Sequence, residues 1–162
     1  MNLIVAVDEN WGIGYKGNLL FSIKQDMKFF RETTQNHIVV MGRKTLDSFP
    51  GGKPLKNRVN IVLTKNTDFK RDGVIVCHST DEVLEELKKY SDDVFVIGGE
   101  QIYKEFLPYC DTAYVTKVRA KRMADAHMVN LDLSDEWETL QNTKDFADNE
   151  LTYQFYIYKR VK

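Results

Sequence analysis

Asp26 is an acid set on the apolar side of a helix-patterned segment, Ser22 to Arg31, in which Ile23, Met27 and Phe30 recur at helical spacing. Burial there disfavours the charged carboxylate, so the group must gain a cationic or hydrogen-bonding partner, or titrate above its usual value of about 3.9. Either state would hold a polar, protonatable ring. The plainer arrangement, an acid at the edge of the stripe that reaches solvent or caps a neighbouring element, is the commoner one when such a residue is read alone. Two other stretches could hold anions. In Ile38-Val39-Val40-Met41-Gly42-Arg43-Lys44-Thr45 an apolar run passes through glycine and two cations into a helix start, where backbone N–H groups and the helix dipole favour negative charge. It reads equally as an exposed basic turn, and it lacks the P-loop spacing. In Val94-Phe95-Val96-Ile97-Gly98-Gly99-Glu100-Gln101 paired glycines let backbone approach a flat or phosphorylated ligand, or simply serve a tight turn. The Gly-x-Gly-x-x-Gly fingerprint is absent. Lys65, just past Val59–Leu63, adds a cation beside Arg43 and Lys44 if those strands are neighbours.

These residues need a scaffold, and its pattern is legible. Short β-branched runs at Leu3–Val7, Ile38–Met41, Val59–Leu63, Val74–Cys77 and Val94–Ile97 predict strands covered on both faces. Helical patterns fall between them at Ser22–Thr33, Thr45–Phe49, Asp81–Tyr90 and Gln101–Leu107, the third opening on a cap at Ser79-Thr80-Asp81-Glu82. Past Pro108, Thr112–Val118, Glu138–Phe146 and Tyr153–Tyr158 follow as strands, the last an edge strand. The alternation predicts a three-layer α/β fold: a central, mostly parallel sheet of about eight strands with an antiparallel C-terminal hairpin edge, in a single domain over residues 1–162. Glu9–Leu20 and Pro50-Gly51-Gly52 are the loops expected to be mobile.

The bulk numbers exclude several classes of partner. A formal net charge of -1 removes the electrostatic case for nucleic acid or an anionic membrane. Cys77 and Cys110 have neither metal-ligand spacing nor a disulfide framework, which fits buried thiols in a reducing cytoplasm. His37, His78 and His127 are scattered without triad or metal spacing and read as structural or surface residues, and Ser48 and Thr45 have no histidine base for acyl transfer. Leu3–Val7 is too short for a signal sequence, and a monomer is the default where no large apolar stripe asks for a partner.

The order of the pieces resembles the bacterial dihydrofolate reductase family over essentially the whole chain. The resemblance rests on Ile13-Gly14, Asp26 followed by Phe29-Phe30, and Met41-Gly42-Arg43-Lys44-Thr45. It continues through Pro54-Leu55 with Arg58 and Asn60-Ile61, Ile97-Gly98-Gly99 to Tyr103, Phe106-Leu107-Pro108, and Tyr114-Val115-Thr116. It implies NADPH-dependent reduction of 7,8-dihydrofolate, with hydride transferred to C6 and a proton to N5. Asp26, supported by Thr116, would hold the pterin and promote protonation through an ordered water. Ile4, Val5, Met27, Phe30, Ser48, Phe49, Leu55 and Ile97 would line the substrate pocket, and Arg58 would pair with the substrate's glutamate carboxylate. Ala6, Ile13 and Tyr103 would lie near the nicotinamide, and Gly99, Gln101 and Ile102 near the pyrophosphate. Arg43, Lys44, Thr45, Thr64 and Lys65 would surround the phosphates and adenosine, with Gly14, Leu19, Gly42, Leu63 and Gly98 completing the cofactor contacts. The Gly98–Gly99 peptide is expected to be cis.

Three departures stand out. Leu20-Phe21 replaces the family's usual Pro-Trp, Ala124-Asp125 replaces Gly-Asp, and Phe49–Lys53 looks about two residues longer than is common. Two rivals share part of the pattern: a riboflavin-pathway reductase, which does not call for Asp26 with Phe30 and Arg58, and a non-catalytic NADP-binding relative, favoured by Leu20-Phe21.

Overall fold

The computed structural model describes residues 1–162. Its strands are Asn2–Val7 (β1), Gly12–Tyr15 (β2), Asn18–Leu19 (β3), Ile38–Gly42 (β4), Val59–Leu63 (β5), Val74–Cys77 (β6), Val94–Gly98 (β7), Thr112–Val118 (β8), Ala126–His127 (β9), Trp137–Asn142 (β10), Phe146–Asp148 (β11) and Leu151–Arg160 (β12). The helices are Lys24–Thr34 (α1), Arg43–Asp47 (α2), Thr80–Leu87 (α3) and Glu100–Phe106 (α4). The main sheet runs β10-β12-β8-β1-β7-β4-β5-β6, with β11 paired to the start of β12. From β8 to β6 all neighbours are parallel, and β12 and β10 join antiparallel.

Alternation along each strand decides which residues meet which helices. Leu3, Val5, Ile38, Val40, Ile61, Leu63 and Val96 pack with Val83 of α3 and Ile102 and Phe106 of α4. Val39, Met41 and Val62 face the other way and close on Leu46 of α2. On that second face α1 seats Phe29 against Tyr114 and Phe155, with ring centroids 6.3 and 4.8 Å apart. Helices on both faces make the three layers, as the near-continuous apolar runs require.

Several boundaries differ from the sequence reading. Ser22 does not open α1; Ile23 holds the N-cap position with no side-chain hydrogen bond. The second helix begins at Arg43, so both cations lie in its first turn, and Phe49 passes instead into a 3-10 turn at Pro50–Gly52. Glu138–Phe146 is broken into β10 and β11, with a register shift between Thr139 and Gln141. The aromatic strand β12 is not an edge, since β8 and β10 flank it. The cap of α3 is as expected: Ser79 Oγ accepts from the Glu82 N–H at 3.1 Å, and the Glu82 carboxylate accepts from the His78 N–H at 2.6 Å.

The segment after β1 is not irregular. Asp8 is buried and its carboxylate accepts from the N–H groups of Asn10, Gly12 and Arg122 at 2.9, 2.8 and 3.0 Å. This ties the start of β2 to the strand-free stretch before β9, and β2 then pairs with both β3 and β9. Trp11 is buried here, edge-on to Tyr158 at 6.0 Å and beneath the Lys117 ammonium at 5.5 Å. A Cβ on Gly12 would lie 2.8 Å from Ala124 Cβ and 3.2 Å from a Leu20 methyl, so the two segments fit only while residue 12 has no side chain. Gly12→Ala should therefore lower stability by about 1–3 kcal/mol, the usual cost of overpacking, measured by urea unfolding. Ala124→Gly in the same chain should recover part of the loss; equal stability of wild type and Gly12→Ala would show that the segments are not packed this way.

Candidate active site

The C-terminal ends of the parallel strands β1, β7 and β4 stand side by side, which is where open α/β sheets place their ligand crevice. Asp26, in the first turn of α1, accepts a hydrogen bond from Thr116 Oγ1 of β8 at 2.6 Å. Burial pushes the Asp26 carboxyl above its ordinary value, and the Thr116 hydroxyl pulls it part of the way back. The Tyr103 phenol is raised first by burial and then by the charge of Asp26, which places the two groups in one electrostatic neighbourhood. Tyr103 donates to the Ile4 carbonyl at 2.7 Å and so joins α4 to β1 beside Ala6, which is in register with Thr116. Asp26 is half-buried and has a hydroxyl partner, so it is not the plainer acid that simply reaches solvent.

The two glycine junctions lie side by side. Val40 pairs with Val96, and after a register shift Met41 pairs with Gly98. The Gly98–Gly99 peptide is cis. Gly98 has φ +120°, and a Cβ there would sit 3.3 Å from the Tyr103 ring, so the backbone can pass only as glycine. A Cβ on Gly42 would lie 3.1 Å from Ile102, while Thr45 Oγ1 stands 4.0 Å from the corresponding point of Gly99. Leu63 is in register with Gly42, which makes β5 the neighbour of β4 and sets Thr64 and Lys65 beside the Arg43–Lys44 turn.

Below α1 lies a cleft of about 750 Å³ lined by Arg31, Gln35, Phe49, Leu55 and Arg58 among others. Phe49, Leu55 and Ile97 pack around the Met41–Leu46 cluster. Arg58 is held by the Lys56 carbonyl, Thr34 Oγ1 and Gln35 Oε1 at 3.0, 3.4 and 3.3 Å, and burial together with the nearby Arg31 charge lowers its pKa. Arg58 is half-buried and Arg31 is exposed beside it, and such neighbouring guanidinium groups suit a carboxylate.

Some expected residues do not present their side chains here. Val5 and Leu63 turn into the core on the α3–α4 face, because strand parity sends Ile4 and Ala6 toward Asp26 and Val5 away. Met27 is 55% exposed, and the half-buried Phe29 rather than Met27 packs α1 against the sheet. Leu19, 83% exposed, projects from β3. Gln101 is exposed and donates to Glu105, and Ser48 Oγ donates to the Thr45 carbonyl of its own helix. Ile13, Ile102 and Tyr103 are buried, Gly14 pairs with Leu19, and Phe30 is half-buried. The sequence reading gave no role to Asn60, whose buried amide accepts from the Leu55 N–H at 3.0 Å and donates to the carbonyls of Leu55 and Arg58 at 2.9 and 3.1 Å. It folds the Leu55–Arg58 loop, and its signal was a polar residue inside the apolar run Val59–Leu63. Nor did it find Arg122, which donates to the Leu20 carbonyl and lies 4.5 Å from the Phe21 ring centroid, holding the residues that replace Pro-Trp.

A shielded acid beside glycine-lined strand ends and a set of cations is the layout with which an open α/β enzyme seats a ligand and a phosphorylated cofactor. Comparison with known proteins gives the same class a family. The dihydrofolate reductase family model matches residues 1–160. The dihydrofolate reductase of Bacillus subtilis is 36% identical over 99% of this chain and 94% of its own, and that of Staphylococcus haemolyticus is 34% identical over 100% and 96%. The structure of Enterococcus faecalis dihydrofolate reductase, complexed with NADP(H) and RAB-propyl, superposes with a TM-score of 0.88 at 35% identity, over 99% of this chain and 96% of that one. The chain belongs to the dihydrofolate reductase family.

The raised carboxyl has a consequence for stability. The folded protein keeps the Asp26 proton over a range in which the unfolded chain, with its ordinary value of 3.8, has lost it, so stability falls as pH rises through that range. Asp26→Asn should unfold at a higher temperature than wild type at pH 7, and the two should converge as pH falls toward 4. Thr116→Val removes the hydroxyl that favours the charged form, so the Asp26 titration, followed by carboxyl NMR, should move to higher pH; a shift to lower pH would contradict the assigned polarity of this bond.

Proposed function

We infer that this protein reduces 7,8-dihydrofolate to 5,6,7,8-tetrahydrofolate with NADPH, hydride going to C6 and a proton to N5. The observation that carries the reading is the Asp26–Thr116 pair, which joins the first turn of α1 to β8, with its carboxyl raised by burial. NADPH, when bound, supplies the hydride. The chain's residues fit it: Gly42 and Gly98 let β4 and β7 end close against Ile102 and Tyr103, and the open backbone at Gly99, with Thr45 Oγ1 beside it, would meet the pyrophosphate. Arg43, Lys44 and Lys65 would meet the 2′-phosphate, with Thr64 beside the adenosine, which gives the preference for NADP over NAD.

Asp26, with Thr116, would accept hydrogen bonds from the 2-amino group and N3 of the pterin, groups that a carboxylate can bridge with two oxygens. Its negative charge near the ring raises the basicity of N5 and draws the proton there through an ordered water. Ile4, Phe30, Phe49, Leu55 and Ile97 would wall the ring from bulk water, and Arg58 would take the glutamate carboxylate. The working unit is proposed as one domain and a monomer, with no nucleic-acid partner. Buried, free Cys77 and Cys110, the latter pushed up to about 11 mainly by burial, suit the reducing cytoplasm. No helix is long and apolar enough to cross a membrane.

Asp26→Asn should cut dihydrofolate-dependent NADPH oxidation at pH 7 by about 100-fold or more, the scale of a lost acid–base function, while NADPH affinity stays at the wild-type level. A parallel loss of NADPH binding would remove Asp26 from the pterin. Lys44→Ala should narrow the NADPH over NADH preference by about tenfold in kcat/KM, the worth of one charge-assisted contact; an unchanged ratio would take Lys44 away from the 2′-phosphate.

A further inference from the structure

Asp47, the last residue of α2, divides its carboxylate between two arginines that serve different parts of the crevice. Its Oδ2 stands 3.7 Å from Arg43 Nε, and its Oδ1 accepts from Arg71 Nη2 at 2.9 Å. Arg71 then donates through Nη1 to the Gly52 carbonyl, in the 3-10 turn whose Gly52 N–H closes on the Phe49 carbonyl at 2.8 Å. The approach is close: a Cβ on Gly52, at φ +62°, would lie 2.9 Å from that same guanidinium nitrogen. The turn and the residues after it form one wall of the 750 Å³ cleft that also contains Arg58. A single acid therefore connects a cation of the phosphate seat to the segment that closes the substrate cleft.

We propose that Asp47 is a positioning residue that couples the cofactor's phosphate seat to the wall of the substrate cleft. The proposal rests on the reading that Arg43 meets the 2′-phosphate. The long contact to Arg43 is half exposed and yields when a phosphate competes for the guanidinium, whereas the short one to Arg71 does not. Once Arg43 turns to the phosphate, the carboxylate serves Arg71 alone and the Phe49–Gly52 turn is held more firmly. Asp47 thus acts in two opposite directions: its charge repels the cofactor phosphate, and its hold on Arg71 favours the substrate.

The test measures NADPH and NADH dissociation constants by fluorescence titration, and the dihydrofolate KM, for four proteins: wild type, Asp47→Asn, Arg71→Gln and Arg43→Ala. Asp47→Asn should bind NADPH about two- to fivefold more tightly, the size of a half-exposed ion pair, with NADH unchanged because it has no 2′-phosphate. Its KM for dihydrofolate should rise by a similar factor. Arg71→Gln should raise that KM without tightening NADPH, and Asp47→Glu should restore the wild-type pattern in part. A variant that was merely misfolded would lose affinity for both ligands, so weakening of both by Asp47→Asn, or no change in either, overturns the proposal. If Arg43→Ala weakens NADPH while Asp47→Asn does not tighten it, the role of Asp47 alone falls; if Arg43→Ala leaves NADPH affinity unaltered, the reading of the phosphate seat falls and the proposal with it.

Discussion

Withdrawing a carboxyl from water is costly, and the neighbourhood of Asp26 is arranged around that cost. Thr116 offers one hydroxyl at 2.6 Å, enough to lower the carboxyl's pKa part of the way but not to offset burial. The remaining demand is for hydrogen-bond donors, the role proposed above for a pterin edge. Each neighbouring element contributes to keeping that demand in place: Phe29 fixes α1 on the sheet, the parallel pairing of β1 with β8 sets Ala6 beside Thr116, and Tyr103 ties α4 to Ile4. A site that is under-satisfied when empty binds through groups that have already been desolvated by folding.

The second half of the crevice uses a different device. Where β4 and β7 end, side chains would obstruct the backbone, as the contacts of Gly42 with Ile102 and Gly98 with Tyr103 show. The helix that follows β4 then carries the cations Arg43 and Lys44 in its first turn, whereas the one after β7 opens on Glu100. The Asp26–Thr116 pair and the Arg43–Lys44 turn thus stand on separate elements of the same fold, so one can be altered without dismantling the other.

Much of this was legible in the sequence because the strands of a sheet covered on both faces are continuous apolar runs. Val59–Leu63, Val74–Cys77 and Thr112–Val118 have the bounds their composition suggested. Asp26 and the glycine pairs were legible because each interrupts a local pattern. The misplaced parts failed for identifiable reasons. Val5, expected in the substrate pocket, and Leu63, expected at the cofactor, have side chains that strand parity turns to the opposite face. Treating β12 as an edge overlooked that the largely exposed β10 pairs with it on its outer side and takes the edge position itself. The ties from Arg122 to Leu20 and from Arg71 to Asp47 join residues far apart in the chain, and no periodicity records them.

The position of Trp11 has a practical use. The chain contains two tryptophans, and both indoles are buried. Trp137 lies under Arg160 at the far edge of the sheet, whereas Trp11 stands at the root of the small β2–β3–β9 sheet and its carbonyl accepts from the Met128 N–H at 2.9 Å. Undocking of that sheet would expose one indole to water and leave the other untouched. The emission colour of the native, unlabelled protein would therefore register any undocking of this sheet, against a second indole whose surroundings stay the same.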